Sequence, residues 1–223
     1  MSQLCLWNNG APKIVRQNQR VPVPGGKMDI GSRPYPELDL YWYKETTVAL
    51  GRFQTKGNLV YSKEGDTVTA TQEPSYKTPQ QIGQALKQDA KRLRDDIMDG
   101  GLKFTPDGEN YYVVQTDKDS RDNIGNEITY MNDSGDPSIQ WRMQSEDPAA
   151  DDPNPELTMA EFKDMSLAVR ALVKACYTRL AQIEGLISLT VVGAKDDAAA
   201  VQALLDIDLE AGWPEKYQAE GGR

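Results

Sequence analysis

The sequence predicts an α+β protein in which a β-rich N-terminal region precedes a unit built on long helices. Six of the 13 prolines fall within residues 1–77, and proline disfavours long helices. Two later segments, 78–100 and 158–187, carry apolar residues at helical spacing. We therefore expect a small antiparallel sheet with a Pro-rich N-terminal arm, and then a three-stranded sheet packed with long helices.

The N-terminal region contains one clear strand pattern. From Leu38 to Tyr43, Leu and Trp alternate with Asp and Tyr, which is typical of a strand with one apolar face. We expect shorter strands over 48–53, 58–62 and 66–72. Gly65 supplies the positive φ that a tight hairpin turn between the last two requires. An extended arm is expected over Val21–Gly26.

The first long helix is marked at both ends. Thr78 is a preferred N-cap residue, Pro79 suits the first helical position, and Gln81 completes a capping box. Gly100 and Gly101 end the pattern, because a helix commonly finishes on a left-handed residue. Strands are expected next over 102–104, 111–115 and 139–143, with a short helix starting near Asp119 or Ser120.

The second long helix is the strongest pattern in the chain. Thr158 and Glu161 form a capping box at its start. Its apolar residues follow near-heptad spacing, and they are Phe162, Met165, Val169, Leu172, Cys176, Leu180, Ile183 and Ile187. This stripe is either the core side of one helix in a monomer or a seam between copies of the chain, and the sequence favours neither. A last helix is expected over 195–210.

The chain is accordingly divided into three regions. Residues 1–77 form a β-rich attachment region, 78–187 an α+β unit, and 188–223 a C-terminal helix and tail. The first region has 10 Lys and Arg against 7 Asp and Glu, hence +3, whereas residues 78–223 have 15 against 27, hence −12. The overall charge of −9 argues against nucleic acid as the main partner.

The composition also limits the possible chemistry. Histidine is absent, which removes the commonest general base and metal ligand, and the only cysteines are Cys5 and Cys176. We therefore expect no enzyme activity, no metal and no organic cofactor. Cys176 is expected to be a buried apolar residue. The aromatic run Tyr41, Trp42 and Tyr43 is expected to be sheet core or a protein interface, with a sugar-binding platform as the alternative.

No apolar run approaches the ~18–20 residues that a membrane span needs, so membrane insertion is not expected.

Several motifs between residues 99 and 187 occur in a familiar order. Asp99-Gly-Gly ends the first helix, and Asp117-Lys-Asp-Ser-Arg121 opens a short helix. Trp141 lies on a strand, and Leu157-Thr-Met-Ala-Glu-Phe162 leads into the last long helix. This part of the chain resembles an uncharacterised domain found in tail proteins of tailed bacteriophages, both tail-fibre assembly proteins and baseplate or tail-fibre components.

The resemblance implies a structural, non-catalytic role in host attachment, at the baseplate or where tail fibres join the tail. The protein would be made in the bacterial host cytoplasm and incorporated into the virion. The alternatives are a tail-fibre assembly chaperone that is absent from the mature virion, and a glycan-binding tail module. The implied partners are other tail or baseplate proteins, the tail fibre and further copies of this chain, with a trimer favoured.

Overall fold

The computed structural model describes residues 3–8, 10–15, 20–23, 26–29, 34, 36–106, 108, 111–145, 151–215 and 217. They belong to two compact units, Met1–Thr78 and Pro79–Arg223. The first unit is rich in strands, whereas the second combines four α-helices with short strands. The predicted α+β class is therefore confirmed.

The N-terminal unit is organised around a five-stranded sheet. Its strands lie side by side in the order β2-β1-β5-β7-β6, and a separate hairpin joins β3 to β4. The strands of this unit are β1 (Gln3–Asn8), β2 (Ala11–Val15), β3 (Arg20–Val23), β4 (Gly26–Asp29), β5 (Leu40–Thr46), β6 (Gln54–Glu64) and β7 (Thr67–Tyr76). The expected extended arm at Val21–Gly26 overlaps the paired strands β3 and β4, and its residues 24–25 lie outside the described residues.

The five-stranded sheet is mixed rather than purely antiparallel. β6 and β7 form the predicted hairpin, with Gly65 at a φ of 58° in the turn, but β7 then returns between β6 and β5. As a result, β5 and β7 run parallel, with Trp42 opposite Thr67. Residues 48–53, where we expected a strand, instead form the connection from β5 to β6 that this arrangement requires.

Both faces of this sheet carry a small apolar cluster. Leu4, Val15 and Leu40 are buried together, with Trp42 packed against them. A second cluster buries Cys5, Tyr41 and Val68. Because successive side chains of a strand point to opposite faces, β1 and β5 contribute to both clusters.

The second unit contains the predicted long helices. The helices are α1 (Pro79–Asp99), α2 (Lys118–Ser134), α3 (Met159–Gly193) and α4 (Asp197–Leu205), and the strands are β8 (Leu102–Phe104), β9 (Tyr112–Val114), β10 (Ser138–Gln140) and β11 (Glu156–Thr158). α3 continues six residues beyond its predicted end at 187, because 188–192 contain neither Gly nor Pro, and it ends at Gly193. α4 packs against both α1 and α3.

The strands of this unit form two ladders in place of the expected three-stranded sheet. β8 pairs with β9, and β10 pairs with β11 just before α3. A β-bridge pairs Val113 of β9 with Gln144, which lies four residues after the end of β10. The difference arises at 153–156, because the acidic, Pro-rich composition of 145–156 predicts only a solvated loop there. Its backbone accepts hydrogen bonds from the N–H groups of Trp141 (3.0 Å) and Met143 (2.9 Å).

The core of the unit lies between α2, α3 and the short strands. Its buried residues are Val114, Ile124, Met131, Met143, Leu157, Phe162, Met165 and Val169. Trp141 is partly buried and meets Phe162 edge to face, with ring centroids 5.0 Å apart. Further along α3, the helix approaches α1 closely at Gly83, where a Cβ atom would lie 3.1 Å from Ile187 Cγ2.

Candidate functional site

The apolar stripe of α3 is buried within the chain itself. No residue of the stripe is more than 7% exposed. Ile124 of α2 packs with Phe162, Met165 and Val169, and Ile97 of α1 packs with Leu172 and Cys176. The remaining members, Leu180, Ile183 and Ile187, are buried too. The stripe is therefore the core side of α3, and of the two alternatives that the sequence left open, the seam between copies needs correction. Contact between copies would have to use other residues.

The three neighbouring aromatic residues of β5 do not form one platform. Trp42 packs on the Leu4–Leu40 face of the sheet, whereas Tyr41 and Tyr43 pack on the Cys5 face. The Tyr41 hydroxyl accepts a hydrogen bond from Lys63 Nζ at 3.1 Å. This alternation follows from strand geometry. It leaves no continuous aromatic surface of all three rings on which a sugar could stack.

Neither cysteine has the environment of a nucleophile. Burial raises the pKa of the Cys5 thiol to about 11. Burial also raises the pKa of the Cys176 thiol, and the nearby Arg94 and Arg121 oppose that shift less strongly. Both thiols are therefore protonated near neutral pH, whereas the reactive form of cysteine is the thiolate.

Two carboxylates of the second unit serve as helix caps. Asp117 caps α2, since its Oδ1 accepts a hydrogen bond from Ser120 N at 3.1 Å and its Oδ2 one from Ser120 Oγ at 2.5 Å. Asp196 caps α4 in the same way. Among the described residues, no three His, Cys, Asp or Glu side chains lie close enough together to hold a metal ion. Within the same residues, no helix is long and apolar enough to cross a membrane.

One groove that we did not predict lies between α2 and α3. Its volume is about 260 Å³, and its lining residues are Arg121, Ile124, Gly125, Ser166, Val169, Arg170, Val173 and Lys174. The lining therefore combines three cationic side chains with apolar residues. The sequence holds a partial signal for it, because Arg170 and Lys174 are four residues apart and therefore lie on one face of a helix.

A second groove of about 260 Å³ lies between α1 and the last two turns of α3. It is lined by Gln80, Gly83, Gln84, Lys87, Ile187, Ser188, Val191 and Val192. Beside it, α3 exposes Leu186, Leu189 and Val192, and Leu189 is 73% accessible. We call these three residues the α3 apolar patch. From Gly185 to Ala194 the chain has no charged residue.

Comparison with known proteins gives one match. A family model described as "Domain of unknown function (DUF4376)" matches residues 81–207, which is more than half of the chain. No curated protein and no solved structure matches the chain. The matched span covers most of the second compact unit, from α1 to just beyond α4.

Proposed function

The chain belongs to the DUF4376 family, and we propose that it is a structural component of a bacteriophage tail, at the baseplate or where fibres attach. It acts by protein–protein contacts and carries out no catalysis. The motifs that resemble phage tail proteins lie between residues 99 and 187, inside the family match at 81–207.

The observation that carries the proposal is that those motifs hold the fold together. Asp117 caps α2, and Arg121 of the same motif donates hydrogen bonds to the Thr116 carbonyl and to Asp99. Trp141 packs on Phe162, and the Thr158–Glu161 capping box starts α3. These motif residues thus stabilise the fold of the second unit. A scaffold that presents surfaces is what a tail component needs.

Self-association is part of this proposal, but through a different face of α3 from the one first expected. The α3 apolar patch is exposed in a single copy and lies in a stretch without charge. An acidic chain repels its own copies least where it carries no charge. We therefore propose that copies meet at this patch. Three-fold symmetry is what the phage resemblance implies.

The principal alternative is a tail-fibre assembly chaperone, and the α2–α3 groove favours it. A groove with an apolar floor suits temporary binding of a segment from another protein. The glycan-binding alternative is weaker, because the aromatic residues of β5 lie on opposite faces of the sheet.

Mass spectrometry separates the two leading functions. Purified particles and the host lysate from which they came are compared for peptides of this chain and of known tail proteins. A structural component should be present in particles at a fixed ratio to other tail proteins after repeated purification. Presence in the lysate together with absence from particles would support the chaperone and contradict the virion role.

A further inference from the structure

A row of cations follows the outer face of α3 in an otherwise acidic region. Lys163, Arg170 and Lys174 all lie on this helix, and Arg121 of α2 lines the same groove as Arg170 and Lys174. Residues 78–223 carry 27 acidic against 15 basic residues. A local excess of positive charge on such a background creates a distinct site for an anionic group.

The three cations of α3 lack acidic partners among the residues that the structure describes, whereas Arg121 of α2 pairs with Asp99 at 3.4 Å. Elsewhere in the same unit, Arg142 pairs with Asp152 at 2.7 Å and Lys91 pairs with Glu184 at 3.5 Å. Lys163, Arg170 and Lys174 have no such ion pair within the described part of the chain. Arg170 and Lys174 are also four residues apart on one helix, a spacing at which like charges destabilise the helix. Binding an anionic group there would remove that repulsion.

The groove between the cations is apolar. Ile124, Val169 and Val173 contribute to its lining. Gly125 also contributes to the lining, and a Cβ atom at this position would extend into open space, with nothing within 4 Å. Leu167, which is 60% accessible, adds apolar surface on the same helix near the cations. A fitting ligand must therefore combine anionic groups with at least one apolar side chain.

We propose that the groove between α2 and α3 binds an acidic peptide segment of a partner protein. An apolar side chain of the segment packs against Ile124, Val169 and Val173, while its carboxylates pair with Arg170 and Lys174. A nucleic acid fits less well, because the groove lining has no aromatic ring on which a base could stack.

This inference rests on the proposed function for its biological setting, but its test needs only the isolated chain. If the groove bound no acidic peptide, the proposed tail role would be unaffected. Absence of the chain from virions would leave the groove assignment standing.

The test measures fluorescence anisotropy of a fluorescein-labelled peptide of alternating Glu and Leu, titrated with the full chain. We expect saturable binding that weakens as salt is added, because ion pairs at a surface are screened. The Arg170→Glu/Lys174→Glu variant should bind at least about tenfold more weakly, since two attractions become repulsions. The matched control is Arg92→Glu/Lys195→Glu, which makes the same charge change at exposed positions outside the groove. It should bind with nearly the parent affinity.

A second variant tests the groove without changing charge. Gly125→Leu places a side chain in the groove, and Leu is a better helix former than Gly, so α2 should stay folded. We expect this variant to lose most of the binding while its circular dichroism is unchanged. Parent-like binding by Gly125→Leu would overturn the proposal, as would equal losses in the two charge variants. Tighter binding of a single-stranded DNA probe than of the peptide would assign the groove to nucleic acid instead.

Discussion

Phe162 is the most informative single residue for testing the packing of the second unit. Its side chain is fully buried at the start of α3, in the cluster that includes Val114, Met143 and Met165. It also meets Trp141 edge to face, with an angle of 68° between the ring planes. Substituting Phe162→Ala removes the ring from the point where α3 meets the strand segments.

The expected loss of stability is about 3–5 kcal/mol, which is the usual cost of truncating a buried Phe to Ala. Of this, about 0.5–1.5 kcal/mol comes from the edge-to-face contact with Trp141. A domain of this size has a total stability of only about 5–15 kcal/mol. The substitution should therefore lower the melting temperature by roughly 10 °C, at about 2–4 °C per kcal/mol.

Far-UV circular dichroism is the appropriate assay, because all α-helices in the described part of the chain belong to the second unit. The helical signal thus reports the unfolding of that unit. Tyr130→Ala is the matched control, since it also truncates an aromatic residue but at a position on α2 that is 59% accessible. It should change stability by no more than about 0.5 kcal/mol. A Phe162→Ala melting curve that coincides with the control would refute the packing described here.

Three further predictions test separate features. Hydrogen bonds from Ser120 lower the pKa of the Asp117 carboxyl below its ordinary 3.8, so its charged form stabilises the fold above about pH 4 and loses this effect as pH falls through the lowered pKa. In urea unfolding at neutral pH, Asp117→Asn should have a lower free energy of unfolding than the parent, and the difference should shrink in acid. A difference in free energy that stays constant with pH would contradict this. Gly101→Ala should lower the free energy of unfolding by at least about 1 kcal/mol, because Gly101 has a φ of +91° and a Cβ atom there would lie 3.1 Å from Val113 Cγ1. Calorimetry that shows the parent's stability for this variant would exclude that strain. Leu189→Glu should reduce the oligomer mass measured by light scattering, and an unchanged mass would remove the α3 apolar patch as the contact between copies.

The helices could be predicted well because their signals are local. The capping residue Thr158 and the apolar spacing that follows it locate α3, and the structure shows both sides of its capping box formed. The start of α1 at Pro79 was predicted in the same way. Such signals depend on residues within one or two helical turns, so they can be recognised without knowing how the rest of the chain folds.

The strand pairing could not be predicted to the same extent because it depends on distant partners. Nothing local in β5 indicates that it will lie parallel to β7. The prolines at 153 and 155 predict a loop, although the carbonyls of both residues accept hydrogen bonds from the N–H groups of Met143 and Trp141. The α2–α3 groove was missed for a similar reason. Arg121 and Lys174 are 53 residues apart in the sequence, and only the packing of the two helices brings them to the same groove.

The most direct test of the proposed tail role is cryo-electron microscopy of intact particles produced from the genome that encodes the chain. The 35-residue helix α3 provides a recognisable feature, about 52 Å long at 1.5 Å per residue. We predict tail or baseplate density that accommodates α3 with α1 packed along it, repeated by the symmetry of the tail. A complete tail map in which every density is assigned to other proteins would contradict the central claim.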